Sequence, residues 1–419
     1  MLEGLLDRSE LVLDNGEHGS KGALIEEMVM NSETFLFRSV LSLMIGILSL
    51  GRGVSEDSVG ESKPRGSMFT GLEGRSDDRR AKLVKEFGGN DASETAVAGA
   101  LKWIASHQLD DGGWSFDHRE SAACGGKCKN HGAISTARNA ATAMALLPFL
   151  GAGQTHLDGK YKTTVAGGLK YLLDHQAENG SFHERFGMMY SHGLCSIALC
   201  EAHGMTGDKA LHKPAQKSID FIVAAQDPVG GGWRYSPRQP GDTSVTGWQM
   251  LALQTGRRVG LEVPNATLDG AARFLKSTGT EDGAHYGYTG PGMGASTTAI
   301  GLLCRQFTGD TPGKEALKTG VEFISKRGPS ITDTRANWYY NFHATALIRC
   351  QDAAEWKKWN VPLRDKLIAT QSIDGHMSGS WFLRGGHGAE RAGRLYCTSL
   401  AALLLESYYR HTRRFVFEM

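Results

Sequence analysis

Apolar residues recur at helical spacing along 96–104, with Lys102 on the wet side, and the run closes on Trp103-Ile104. Equivalent runs at 165–173, 215–223, 268–275 and 316–324 carry Tyr171, Phe221, Phe274 and Phe323. A sixth, at 363–369, has Leu367-Ile368 in that place. The spacing of about 50 residues predicts a repeat architecture in which no unit can bury its apolar face alone. A Gly-rich turn follows most runs, often with Gln before it and an aromatic after it, as in Gln108-Leu-Asp-Asp-Gly-Gly-Trp114. Gly suits the left-handed position that stops a helix. The Gln amide can bind free helix-end backbone groups while the ring packs over the turn.

A second helix, richer in small residues, follows each turn. Aligned, these helices give a column of Thr142, His192, Thr246, Thr298, His343 and Thr398, then Ala143, Gly193, Gly247, Ala299, Ala344 and Ser399. Small residues allow the close approach that six inner helices crowded round an axis need. Six helix pairs closed into a ring would point all inner N-termini at one mouth, the default site for a ligand. Converging N-termini supply free N–H groups and partial positive charge. The Thr/His column is expected at the throat, with Trp248, Trp338, Tyr339 and Tyr340 as aromatic walls and Tyr190 beside them. The competing reading is that the Thr hydroxyls only bond their own helices.

The ring is expected over 93–410, with a tail at 411–419. Residues 1–55 form a separate extension whose apolar core, 40–50, is too short to span a bilayer. Arg38 before it and Gly51, Gly53 and Ser55 after it give the form of a secretory signal near 30–53, which predicts export. A short buried or membrane-surface helix is the alternative. Residues 56–92 are polar and read as a disordered lead-in. Lys+Arg 46 against Asp+Glu 45 leaves no field to attract nucleic acid. No stable transmembrane span is expected, and no protein partner is legible.

Gln-x-x-Asp-Gly-Gly-Trp at 108–114 and Gln-x-x-x-Gly-Gly-Gly-Trp at 226–233 resemble the QW motif of squalene and hopene cyclases. Residues 93–410 as a whole resemble the prenyltransferase/squalene oxidase repeat. Met189-Tyr-Ser-His-Gly-Leu, Gly232-Trp-Arg-Tyr-Ser-Pro and Gly241-Asp-Thr-Ser-Val-Thr-Gly-Trp-Gln are similar to an exported bacterial subfamily known mainly from planctomycetes. The resemblance implies an all-α (α/α)6 toroid, as in terpenoid cyclases and protein prenyltransferase β-subunits, and an apolar isoprenoid-like partner. It does not carry a reaction with it. The cyclases protonate substrate with the middle Asp of Asp-x-Asp-Asp-Thr. No Asp stands one or two places before any column residue; the nearest is Asp242, four before Thr246, where N-capping also explains it. The prenyltransferase set of Asp, Cys and His on zinc is absent too.

His192, His343 and Asp242 are therefore the candidate acid–base groups, and Tyr190, Thr246, Trp248, Trp338, Tyr339 and Tyr340 the candidate ligand contacts. Cys124-Gly-Gly-Lys-Cys128-Lys-Asn-His131 offers three ligands within eight residues, enough for zinc if His118 or an acid supplies a fourth. A Cys124–Cys128 disulfide, which export favours, is the preferred reading. No cofactor beyond zinc is suggested. The expected function is binding of an isoprenoid or hopanoid-like molecule, with a non-classical cyclase or transferase reaction. The alternatives are a non-catalytic module that binds protein or envelope polymer, and glycan hydrolysis or elimination, which the scarcity of acids near the inner-helix starts disfavours.

Overall fold

The computed structural model describes residues 72–309, 314–385 and 388–410. The apolar segment at 40–50, and with it the expected secretory signal, lies outside them. Six outer helices alternate with six inner ones. The outer set is α2 (Asp91–Ala105), α4 (Lys162–Asp174), α6 (Lys209–Ala224), α8 (Asn265–Thr278), α10 (Glu315–Arg327) and α12 (Ala353–Thr370). The inner set is α3 (Arg138–Gly151), α5 (Met188–Thr206), α7 (Thr243–Arg258), α9 (Ala295–Phe307), α11 (Trp338–Arg349) and α13 (Ala389–Leu405). Each inner helix packs on the next, and α13 returns to α3, so the inner ring closes. This is the (α/α)6 toroid. A hairpin of β1 (Gly279–Thr280) and β2 (His285–Tyr286) forms the fourth turn. Among the described residues no helix is long and apolar enough to cross a membrane.

Local sequence sets the helix starts. Asn90 and Ser93 form a reciprocal capping box for α2, and Asp352 accepts the N–H groups of Ala354 and Glu355 to start α12. The small column brings the inner helices together: a Cβ on Gly247 would lie 2.4 Å from Cγ2 of Ile300, and one on Gly193 2.9 Å from the Gln249 amide.

The Gln-to-aromatic turns are the mortar of the ring. Each Gln amide donates to a carbonyl of its own turn and to one on the next outer helix. Gln108 reaches Thr164, Gln176 reaches Pro214 and Gln226 reaches Thr267. Gln371 reaches Ala96 at 2.8 Å, which ties the last repeat to the first. Gly231 (φ 86°) must be glycine, because a Cβ would sit 2.1 Å from the Gly270 carbonyl on that next helix. The indoles of Trp114, Trp233 and Trp381 reach back to carbonyls of Ile104, Ile222 and Leu367.

Residues 77–86, expected within a disordered lead-in, instead form α1 (Asp77–Glu86). Polar composition misleads here because its charges find partners: Arg80 pairs with Glu94 at 2.6 Å and covers the Tyr409 ring. Just before α1, buried Arg75 makes a two-pronged bond to buried Glu201 at 3.0 Å, and Arg410 grips the same carboxylate at 2.8 and 2.9 Å. Arg410 and Arg349 also donate to carbonyls of Leu147 and Ser407. Guanidinium groups thus close the end of the ring where inner-helix C-termini gather.

Candidate functional site

Asp242 is fully buried at the start of α7, where its carboxylate accepts the Val245 N–H at 2.7 Å. Its other oxygen faces Arg234 at 3.8 Å, and the Tyr288 hydroxyl lies beside it. Burial outweighs the capping bond and these neighbours and pushes the carboxyl up to about 6. The Arg234 guanidinium covers the rings of Tyr235 and Tyr288, whose hydroxyls bond to each other. The acid therefore sits at the inner-helix N-terminal end of the ring, among phenols and one cation.

Next to it, Ser244 links three inner helices. Its hydroxyl bonds to Tyr190 of α5 at 2.8 Å and to Tyr339 of α11. Ser244 is two residues before Thr246, the position where the cyclase pattern would place its acid. Tyr190 is pushed well above the usual phenol range by burial and then by Asp242. A turn further in, Trp248 stacks on Phe342 with ring centroids 5.3 Å apart and approaches Tyr339 and His343 at 6.5 and 5.4 Å. Trp248 on α7 and Phe342 on α11 meet although α9 separates their helices round the ring, so this cluster occupies the axis. Phe342 and Ala346, one turn apart, and Leu251, one turn beyond Trp248, remain only half-buried.

The expected throat of Thr and His is not there. The Thr246 hydroxyl accepts the N–H of Trp233 at 3.0 Å. Thr142, Thr298 and Thr398 do the same for Trp114, Tyr286 and Trp381. In the second repeat Nδ1 of His192 accepts from Phe182 at 3.1 Å, and its Nε2 lies 2.9 Å from the Ser218 carbonyl. The column points outward and anchors the turn aromatics, so neither Thr246 as a ligand contact nor His192 as a catalyst fits its place. His343 differs: it is fully buried, and neither ring nitrogen has a hydrogen-bond partner. Burial lowers both His192 and His343 to about 3, so both rings are neutral at physiological pH.

The aromatic walls need a similar correction. Trp338 bonds the Leu383 carbonyl at 3.2 Å, and Tyr340 bonds that of Gly328 at 3.1 Å, so both are spent on turns and the outer layer. Tyr339, Trp248 and Tyr190 face the axis. Ser244, Phe342, Arg234, Tyr235 and Tyr288 were missed. The Gly232-Trp-Arg-Tyr-Ser-Pro segment contained two of them, but nothing in its spacing distinguished them from a solvated turn.

The Cys-rich loop also departs from expectation. Cys124 and Cys128 are free thiols, both buried, whereas His131 is exposed. The Sγ of Cys128 lies 3.5 Å from Nε2 of His107 and 3.2 Å from Nδ1 of His376. Ligand atoms of His107, Cys124, Cys128 and His376 all fall within 4.8 Å of one another. A separate open groove of about 870 Å³, bounded by Arg257, Asp269, Lys276 and Arg305, lies along α8. It holds none of these groups, and residues without convergent chemistry line it.

Residues 82–184 match the squalene–hopene cyclase C-terminal domain family. The chain is terpenoid cyclase/prenyltransferase-like. It is 29% identical over 209 residues, 45% of its length, to a squalene–hopene cyclase of Bradyrhizobium diazoefficiens. It is 32% identical over 193 residues, 42% of its length, to one of Zymomonas mobilis. The matches span 30% and 28% of those cyclases, so the chain covers under a third of either. Among solved structures, a type II terpene cyclase from Scytonema in complex with geranylgeranyl dihydroxybenzoate is similar at TM-score 0.51 and 12% identity, over 76% of this chain and 97% of that one. An α-1,6-mannanase of Salegentibacter in complex with α-1,6-mannotriose gives TM-score 0.55 at 8% identity, over 76% and 99%. At such identities the likeness is one of fold.

Proposed function

We propose that this terpenoid cyclase-like chain holds an apolar, isoprenoid-type ligand within the ring, admitted at the inner-helix N-terminal end, and acts on it by proton transfer through Asp242. The observation that carries this reading is the half-buried state of Leu251, Phe342 and Ala346. Inward faces of two inner helices keep contact with solvent beside the axial Trp248–Phe342 cluster, which supports an apolar space next to it. The cyclase likeness supplies the ligand class. Ser244 stands in the acid's place, which speaks against protonation of a bare alkene. A carboxyl near 6 is suited instead to general acid–base exchange with an oxygen function such as a carbonyl, ester or hydroxyl. The phenols of Tyr190, Tyr339 and Tyr288 would address that oxygen.

The test is native mass spectrometry and lipid extraction of the full chain purified from its own host, with Asp242→Asn and Trp248→Ala beside it. A bound isoprenoid, lost in Trp248→Ala and accumulating unchanged in Asp242→Asn, is the expected result. Protein that carries no lipid, and takes up none when offered polyprenols, would overturn it. The mass of the same mature chain tests our further proposal that cleavage near 53 accompanies export. A second reading, a non-catalytic interaction module, is favoured by the hydroxyl chain of Tyr190, Ser244 and Tyr339 across the axis. It predicts that Asp242→Asn changes no product and that a partner protein or polymer co-purifies.

A further inference from the structure

We infer that His107, Cys124, Cys128 and His376 form a structural zinc site that fastens the sixth repeat to the first. The geometry fits. Zn–S bonds of about 2.3 Å and Zn–N bonds of about 2.0–2.1 Å at a tetrahedral angle place sulfur and nitrogen roughly 3.6 Å apart. The Sγ of Cys128 stands 3.5 and 3.2 Å from the two imidazole nitrogens, and no ligand atom of the four is more than 4.8 Å from another. A small contraction of the set would complete the shell.

A second observation is independent of those distances. Nδ1 of His107 lies 2.7 Å from the Trp103 carbonyl, the bond that fixes its proton there and turns the Nε2 lone pair toward Cys128. This is the outer-shell support that metal-bound histidines have. His107, Cys124 and Cys128 are buried, so two thiols and an imidazole are withdrawn from water with no disulfide among them. Gly125 and Gly126 (φ 48° and 81°) let the loop turn back between the two cysteines. Arg394 of α13 holds the far side of the loop through the carbonyl of Lys129 and the side chain of Asn130.

The donor set selects the metal. Two soft sulfurs and two imidazoles, with no carboxylate among the four, suit zinc and exclude calcium and magnesium. Four protein ligands leave no open position, which makes the site structural. Its place in the chain says what it holds. His107 follows α2, the cysteines lie between α2 and α3, and His376 comes from the turn after α12. The metal would span the junction that Gln371 bridges to Ala96. Every other junction in a ring of repeats joins consecutive units, but this one joins the two ends of the array, where no covalent connection helps.

The full chain, purified with reductant and without chelator, should carry one zinc by elemental analysis. Cobalt exchanged into it should give the intense tetrahedral ligand-field bands and thiolate charge transfer of an S2N2 site. Cys128→Ser and His376→Ala should weaken zinc retention against a chelator at least about 100-fold and lower the thermal midpoint. His131→Ala should behave as wild type. His376 lies in a half-exposed turn, so its variant tests the metal without removing core. Reduced wild-type protein that neither contains zinc nor takes up cobalt would overturn the inference. So would a mass two hydrogens lower, marking a Cys124–Cys128 disulfide, or loss of metal in His131→Ala but not in His376→Ala.

Discussion

Replacing Thr246 by Val separates an anchoring column from a functional throat. The substitution keeps the shape of the side chain and removes only the hydroxyl that accepts the Trp233 N–H at 3.0 Å. Both groups are buried, so the amide is left without an acceptor and no water replaces it. An unsatisfied buried donor costs about 1–3 kcal/mol, and losing the hydroxyl's own desolvation returns part of that. A net destabilisation of about 1–2 kcal/mol, or roughly a 5- to 30-fold change in an opening equilibrium, is expected. Because the hydroxyl acts on one turn, the loss should be local. Hydrogen exchange read by mass spectrometry on peptides containing Trp233 should accelerate by that factor, while peptides covering α3 and α13 stay protected. Thr246→Ser restores the acceptor and should restore most of the protection. Ligand retention should be unchanged in both variants. Unaltered exchange at Trp233 together with lost ligand would refute the anchoring role and return Thr246 to the throat.

Two other expectations follow from the charges. Asp242 has its carboxyl raised to about 6 from an ordinary 3.8, so the folded protein holds a proton that the unfolded chain releases. Stability should therefore fall as pH rises from about 4 to 6 and then level off. Asp242→Asn, which still caps α7, should flatten that slope, worth up to about 3 kcal/mol; denaturant midpoints across pH 4–7 read it, and an unchanged slope would refute the buried acid. At the other end, burial pushes Glu201 up, but Arg410 and Arg75 outweigh it and hold it below the usual carboxylate range. Glu201→Gln leaves two buried guanidinium groups facing a neutral amide and should cost about 3–5 kcal/mol, measured as the urea midpoint; a loss under 1 kcal/mol would show that water reaches the cluster.

The ring was legible because its outer half obeys simple rules. Outer helices have one wet face and close on an aromatic, so Trp103, Tyr171, Phe221, Phe274 and Phe323 gave the period, and Gln108, Gly112 and Trp114 marked where the first helix stops. The inner half gave no such direction. Every residue of α5 from Met189 to Ala202 is buried, so polarity cannot say which side looks outward or inward. The column of Thr and His was visible as a column, but its direction was misjudged, and with it the roles of Thr246 and His192. The same ambiguity made Trp338, Tyr339 and Tyr340 look equivalent, although only Tyr339 faces the axis. Long-range chemistry was more hidden still. His376 lies 248 positions from Cys128, and only ring closure brings it there, so the nearer His131 drew attention by spacing alone.

The two ends of the ring differ in how they satisfy helix termini, and this difference sets which end the proposed ligand would enter. Six inner C-termini bring free carbonyls and partial negative charge to one end. There Arg75, Arg349 and Arg410 bind those carbonyls or buried Glu201, and Arg75 comes from the segment preceding the ring. That end is consumed by its own electrostatics. Charges buried and paired this way leave no apolar path, and opening one would expose several guanidinium groups at once. At the opposite end the free groups are N–H donors, and short side chains meet them one helix at a time: Glu184 for α3, Asp242 for α7 and Asn337 for α11. These caps put no ion pairs across the axis, which only the Tyr190–Ser244–Tyr339 hydroxyls and the Trp248–Phe342 rings cross, and Phe342 and Ala346 stay half-buried. The end that could admit an apolar molecule is thus the one that carries a protonatable acid and four tyrosines, because the cost of closing the ring was met elsewhere.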